Sequence, residues 1–447
     1  MAIISFLLKR ILFKEHLQMK LLLLLIPIVI FAQSFMISKI PLPKTYIENL
    51  DPYECDDVCL QEYLDKGMIF SFLAHANHKL SNKELDDIRK MNVSIFNLGT
   101  FNSNGGLNIA MLLPYKKIGK YASSTTNAAF SYLLTKSDSF KLKSYKIESE
   151  NIGDIQAAFN KIKADGFEYV IAPFTKKGVE NVIALDPNIS VYFPTINKND
   201  VNSTSPYLYF GGINYKKQSK LLLKEAVSPL VIFSDNSSTG KELARYQKEE
   251  FLHPTIDINE TMSYEDEISV YDMQENADEV VPTDDENLSE EKRVISYTIS
   301  RRTTNLERYL KDNEDIVDGS FFINTPVIKT GMIMSQLTLY DTNKTNILST
   351  QINYDPLILS MTQYIDRKDM IIANSITEAN NVLIEANSLL HNDIVYDWIN
   401  YSTTIGIDYF YQAITGAQRE YKIPMEDNQI QYNIELIRPG LSKFSKL

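Results

Sequence analysis

Short apolar runs followed by amphipathic stretches recur along most of this chain. Residues 107–113, LNIAMLL, are almost unbroken in apolar character and stop at Pro114, the pattern of a strand covered on both faces. The next stretch, KKIGKYASSTTNAAFSYLLTKS, reads as loop and helix, with cap candidates at 123–126 and an apolar stripe at Ala128, Ala129, Tyr132 and Leu133. From Ser144 the chain reads strand, helix, strand, helix. Ile155, Ala158, Phe159 and Ile162 recur at helical spacing, Asp165 and Gly166 stop that helix, and YVIAPF is a buried strand. A short helix at 179–184, a strand in SVYFPTIN and the segment PYLYFGGINY close the series.

The pattern then repeats. KKQSKLLLKEA reads as a helix, 230–234 as a strand and STGKELARYQKEEF as a helix. GSFFINTP and NILSTQ read as strands around the helix TGMIMSQLTLYD. RVISYTISRRTTNLERYLKDN reads as a helix bearing Arg301, Arg302 and Arg308, IDYFYQAITGAQRE as a later helix, and QIQYNIELIRP as one strand with an exposed face. His253 reads as the start of a strand. Strand alternating with helix, twice over, predicts an α/β fold with two lobes, parallel sheets and a cleft between them.

The flanks read differently. Residues 1–32 hold a prefix and an apolar run from Met19, MKLLLLLIPIVIFAQSF, which has the form of a signal peptide and is short for a bilayer span. The alternative is an uncleaved inner-membrane anchor facing the periplasm. Residues 33–101 form a small, mainly helical lead-in, with Ser81 as cap and Glu84 at capping-box spacing. FNSNGG is a linker, and 102–447 is the two-lobed domain. Residues 261–292 are an acidic insertion within it, either solvated or a docking surface for a basic partner. Cys55 and Cys59 are a possible local disulfide; the alternative is two thiols on one helical turn.

Charge and chemistry narrow the function. A formal net charge of -12 over 447 residues argues against a nucleic-acid surface. The chain has neither a G-x-S-x-G elbow nor a phosphate-binding G-x-x-x-x-G-K-[ST]. His75 and His78 could share a helix face but lack a third ligand, so no metal site is expected. The chain does not read as an enzyme, and no cofactor is expected. What remains is a cleft at strand ends and helix N-termini.

LNIAMLLPYKKIGKYASSTTNAAFSYLL resembles the opening of type I periplasmic binding proteins: Leu113 and Pro114 match, Tyr115 takes the aliphatic or aromatic slot, and Lys116 stands where the family has Ser. In YVIAPFTKKGVENVIA, Pro173 matches and Ala172 replaces the usual Gly; Asn197, Asp235, Gly240 and Asp408 occupy further family positions. Within the family, GSFFINTPVIKTGMIMSQLTLYDTNKTNILSTQINY is similar to the C-terminal domain of the outer-membrane activators of bifunctional peptidoglycan synthases. That branch is lipoprotein and has a tetratricopeptide-like N-terminal domain. Here no Cys ends the apolar run, and the lead-in is short.

The resemblance implies a non-catalytic periplasmic protein that binds an envelope partner, a peptidoglycan synthase being one such partner. The alternative is a solute receptor of a transporter. In that case Ser123 and Ser124, with Tyr121 nearby, would hold the carboxylate of an amino acid or similar small molecule, and Asp235 or Tyr354 would hold its amine. The plainer reading makes Ser123 a helix cap and Asp235 a turn acid.

Overall fold

Leu107, Ile109, Met111 and Leu113 of β1 (Leu107–Leu113) enter one apolar core, whereas Ala110 and Leu112 enter another. A strand buried on both faces must be apolar at consecutive positions, which is why the run is unbroken. The computed structural model describes residues 47–96, 98, 107–136, 138, 140–255 and 292–447. The run from Met19, the linker at 101–106 and nearly all of the acidic insertion lie outside the described residues.

The chain divides into two units, one holding residues 55–101 and the other 48–54 with 102–447. In the first, the helices Asp57–Asp65, Ile69–His75 and Lys83–Ile95 pack around Leu60, Phe72, Leu73, Ala76 and Leu85. Asp56 caps the first helix by accepting from the Cys59 N–H at 2.9 Å, and Cys55 and Cys59 are joined in a disulfide. The expected cap at Ser81 is corrected by one position. The carboxamide oxygen of Asn82 accepts from the N–H groups of Glu84 and Leu85 at 3.1 and 3.4 Å, satisfying first-turn donors that the helix itself leaves open.

The second unit is a bilobed α/β structure. The first lobe is built on β1, β2 (Phe140–Lys146), β3 (Tyr169–Ile171), β4 (Ser190–Phe193) and β5 (Leu208–Phe210), parallel and in the order β2-β1-β3-β4-β5. The second lobe repeats that order with β6 (Leu230–Asp235), β7 (Val294–Ile299), β8 (Gly319–Asn324), β9 (Lys344–Ser349) and β10 (Met370–Asn374), arranged β7-β6-β8-β9-β10 and again parallel. Its strands also divide their side chains: Val231, Phe233, Phe321 and Ile323 enter one core, and Leu230, Ile232 and Phe322 the other.

The C-terminal segment, from Trp398 onward, closes both sheets. β11 (Met425–Glu426) and β12 (Gln429–Ile430) extend the first sheet beyond β5, and β13 (Glu435–Pro439) and β14 (Phe444–Lys446) extend the second beyond β10. The helix Trp398–Thr415 packs on the first lobe, with Tyr401, Ile405, Ile407 and Phe410 in the core that takes one face of β1. The chain thus passes between lobes three times, near 211–214, 375–380 and 431–434.

Four expectations change here. QIQYNIELIRP is two strands in different sheets, because residues 431–434 are the third crossover. Residues 294–299 are the edge strand β7: Ile295, Tyr297 and Ile299 pack on the lobe core while Ser296 and Thr298 are exposed, a period of two. The late helix begins at Trp398, not near Ile407, and His253 ends the helix Ser238–Leu252 instead of opening a strand.

Candidate functional site at the junction of the lobes

Two glycines start the first crossover, and neither has room for a side chain. A Cβ on Gly211 would fall 1.8 Å from the Tyr192 hydroxyl, and one on Gly212 would fall 2.2 Å from the Ile196 carbonyl carbon. Side chains from elsewhere pin the backbone there. Tyr432 and Ser402 donate to the Gly211 carbonyl at 2.7 and 2.8 Å, and Asn197 and Gln429 donate to that of Gly212 at 2.9 and 3.2 Å. The second crossover is held by buried neutral groups. Gln218 donates to Ser375 Oγ at 2.7 Å, and Ser375 donates its N–H to Gln351 Oε1 at 2.6 Å. Gln351 in turn donates its N–H to Gln218 and its side-chain amide to Asn374. Amides and hydroxyls that satisfy one another can be buried at small cost, whereas lone charges cannot.

Aromatic rings line the same junction. Tyr215 opens the helix Tyr215–Leu223, whose Leu222 is in the second-lobe core, yet the Tyr215 ring packs against the first-lobe core. It meets Trp398 edge to face at 6.3 Å. Tyr354 of the second lobe lies 5.0 Å from Tyr396 and 4.9 Å from Phe444. Burial pushes the Tyr354 phenol up to about 12, with Tyr396, Asp393 and Glu435 adding to the rise.

The residues expected to form a ligand site separate into three places. Tyr121 and Ser124 sit in the first turn of the helix Tyr121–Leu134, where Asp397 and Tyr215 are electrostatic neighbours of Tyr121. Burial raises the pKa of Tyr121, and Asp397 raises it further. The Ser124 hydroxyl is buried and has no hydrogen-bond partner among the described residues. Ser123 is exposed and donates to the Lys120 carbonyl at 3.0 Å. Asp235 ends β6 and accepts from the N–H and hydroxyl of Ser237 at 3.1 and 2.5 Å. A Cβ on Gly240 would fall 2.3 Å from Asp235 Oδ1, so the acid in this position leaves room only for glycine there. Tyr354 lies in the ring cluster, and no hydrogen bond or ring contact among the described residues joins it to Asp235 or Tyr121.

Sequence reasoning missed Tyr215, Tyr396, Asp397 and Trp398. Their one local signal is Asp397, whose carboxylate accepts from the N–H groups of Ile399 and Asn400 at 3.0 and 3.3 Å as a helix cap. Asp408, a position shared with the resembled family, is fully buried. It accepts from Tyr132 and from Arg419 at 2.7 and 3.1 Å and from the backbone of Glu420 and Tyr421, so it is a structural clamp.

Small cavities flank the second crossover. One of about 100 Å³ is lined by Asn197, Asn214, Ser375, Gln429 and Tyr432, and another of about 110 Å³ by Tyr354, Glu378, Tyr401 and Tyr421. Among the described residues, no group of three or more His, Cys, Asp or Glu could hold a metal ion, and no helix is long and apolar enough to cross a membrane.

No family model and no curated protein matches the chain. Solved structures do match its fold. LivJ from Streptococcus pneumoniae str. Canada MDR_19A, the substrate-binding protein of a branched-chain amino acid transporter solved with isoleucine, is 10% identical over 76% of this chain and 98% of that one, with a TM-score of 0.51. A protein from Rhodospirillum rubrum, titled a branched-chain amino acid ABC transporter, is 9% identical over 76% of this chain and 100% of that one, with a TM-score of 0.53. LpoA of Haemophilus influenzae is 10% identical over 87% of this chain and 64% of that one, and its TM-score of 0.47 is too low to bear on role. The chain has a two-lobed type I periplasmic-binding-protein-like fold.

Proposed function

We propose that the chain is a non-catalytic periplasmic binding protein of the solute-receptor type, holding an amino acid or similar small molecule between its lobes. The observation that carries this reading is the junction itself. Two lobes with the same strand order are joined by three crossovers, and Tyr121, Tyr215, Trp398 and Asp397 gather at the start of the helix that also carries the buried, unpartnered Ser124 hydroxyl. Rings supply contact area, and the hydroxyl and carboxylate supply orientation, as in a small-molecule site. Tyr121, Ser123, Ser124 and Tyr354 are the residues proposed to meet the ligand. Asp235 is proposed to act on it only through the turn that it shapes.

A ligand that binds the folded state raises the melting temperature by an amount that grows with its concentration. A thermal-shift screen of amino acids, peptides and cell-wall fragments is therefore expected to give at least one dose-dependent rise. A flat response at millimolar ligand, with the protein folded, would overturn the receptor reading.

A second reading is an envelope regulator that docks a partner protein, for which a peptidoglycan synthase is one candidate. It is favoured by the exposed apolar side chains Ile328, Leu357, Met361, Tyr364 and Ile365 on neighbouring helices of the second lobe. Crosslinking from an envelope fraction tests it: recovery of a synthase supports this reading, and recovery of a transporter permease supports the receptor.

A further inference from the structure

The helix Val327–Leu339 puts Ile333, Met334 and Leu337 into the second-lobe core, and its outer side carries no charge. A helix face in water is ordinarily polar or charged. The helix Ser238–Leu252, on the opposite face of the same sheet, follows that rule: Lys241, Glu242, Arg245, Lys248 and Glu249 are all exposed. On Val327–Leu339, by contrast, Ile328 and Leu339 are 66% and 68% exposed, and Met332 and Ser335 are partly exposed between them. These four positions follow one another at spacings of four, three and four, the seam of a helix that pairs with another helix. The one charged residue of the helix, Lys329, donates to the Thr303 carbonyl at 2.6 Å.

Neighbouring helices continue the face. A Cβ on Gly331 would fall 2.8 Å from Met361 Cε, so Met361 lies against this helix. Ser335 donates to Asp366 at 3.0 Å, which brings the helix Tyr364–Arg367 alongside. Leu357, Met361, Tyr364 and Ile365 are exposed. The charges of that stretch are turned inward: buried Asp366 accepts from the Gln363 N–H at 3.1 Å, and buried Arg367 donates to the Gly440 and Leu441 carbonyls at 3.1 and 3.0 Å. Six apolar side chains, from 40% to 68% exposed, thus offer roughly 600 Å² of surface per copy, the upper limit of what a lone soluble protein leaves open.

We propose that the occupant of this face is a second copy of the chain, related by a two-fold axis that sets the helix Val327–Leu339 against its mate. A two-fold contact needs a face complementary to itself, and an apolar seam of this spacing is one. Two such faces bury about 1,200 Å² before any rim is counted, which reaches the size of a specific, stable interface. Each copy carries a formal net charge of -12, so two copies repel over most of their surface and can meet where charge is absent. A dissimilar protein on the same face, the second reading above, predicts that the purified chain is a monomer. The pairing does not depend on what the lobe junction binds.

The test is sedimentation velocity of the purified full chain, without solute, from submicromolar to tens of micromolar concentration. Conversion of monomer to dimer is expected as the concentration rises. Ile328→Glu and Leu339→Glu each place a carboxylate in the seam of both copies. Each is expected to raise the dissociation constant by about a hundredfold or more, with the circular dichroism spectrum unchanged. Leu389→Glu, the same change at an 82% exposed leucine outside the face, is expected to leave the dimer intact. Should one seam variant misfold, the other carries the comparison. A monomer at every concentration, a dimer that both seam variants leave intact, or equal weakening by Leu389→Glu would overturn the proposal.

Discussion

Tyr432 donates its hydroxyl to the carbonyl oxygen of Gly211 across 2.7 Å, tying the third interlobe crossover to the first. The two residues lie at opposite ends of the chain's excursion through the second lobe and back. Tyr432→Phe removes the donor and leaves Ser402 as the side-chain partner of that carbonyl. The expected loss of stability is about 1 kcal/mol, the usual net worth of a buried hydrogen bond. Denaturant melts check it; an unchanged midpoint would show that the bond does not hold the junction.

Packing around Tyr192 should be far less forgiving. A Cβ at Gly406 would lie 2.3 Å from the Tyr192 ring, and one at Gly211 would meet its hydroxyl. The helix Trp398–Thr415 rests directly on β4 at this point, so Gly406→Ala must push the helix off the sheet. Overpacking of this kind costs roughly 1–3 kcal/mol or more. Thermal melts of Gly406→Ala and Gly211→Ala should both show clear loss, and Gly153→Ala, where nothing lies within 4 Å, should not.

The ring pair Tyr354 and Tyr396 should be energetically coupled. A double-mutant cycle with alanine at each position is expected to give about 0.5–1.5 kcal/mol of interaction, the range for aromatic pairs beyond their burial. Additive losses would mean that the rings are neighbours without mutual stabilisation.

Residues 48–54 supply a pH-dependent contact. Burial raises Glu48 to about 7, against the opposing pull of Lys141 and the Leu142 N–H. Folded pKa above unfolded pKa means that the docked segment binds its proton more tightly than the free one. Its contribution is therefore fully present below about pH 4.5, the unfolded value, and is lost by the time the pH has risen through about 7. Amide exchange of residues 48–54, corrected for intrinsic rates, should speed up across that window, and Glu48→Gln should hold it slow at pH 8. Equal protection at pH 5 and pH 8 would contradict the assignment.

The fold was legible because its strands are buried twice over. The runs around β1, β3, β6 and β8 are apolar at successive positions, and Pro114 and Pro173 mark their ends. β7 was misread because it is an edge strand, half exposed, followed by a one-turn helix at Glu307–Leu310 whose charged neighbours imitate a longer one. Alternation revealed a strand in QIQYNIELIRP but could not say that residues on either side of 431–434 join different sheets. The junction was harder still. Glu378, Tyr354, Tyr401 and Tyr421 meet only after the lobes assemble, and no spacing in the chain brings them together. Asp235 stood out as an acid after a strand, and its Oδ1 is taken up by the N–H and hydroxyl of Ser237, in the turn before the helix Ser238–Leu252.

The central claim is that a small molecule is held between the lobes; a ligand that touches both draws them together, so a distance across the lobes tests it most directly. Lys176 lies on the first lobe and Lys248 on the second, both exposed. With each replaced by cysteine in turn carrying one of two dyes, and the native disulfide left oxidised, energy transfer would be read across the panel of amino acids, peptides and cell-wall fragments. At least one solute should shorten the distance, saturably and at the concentration that raises the melting temperature. A distance unchanged by every solute, in protein shown to be folded, would contradict the account.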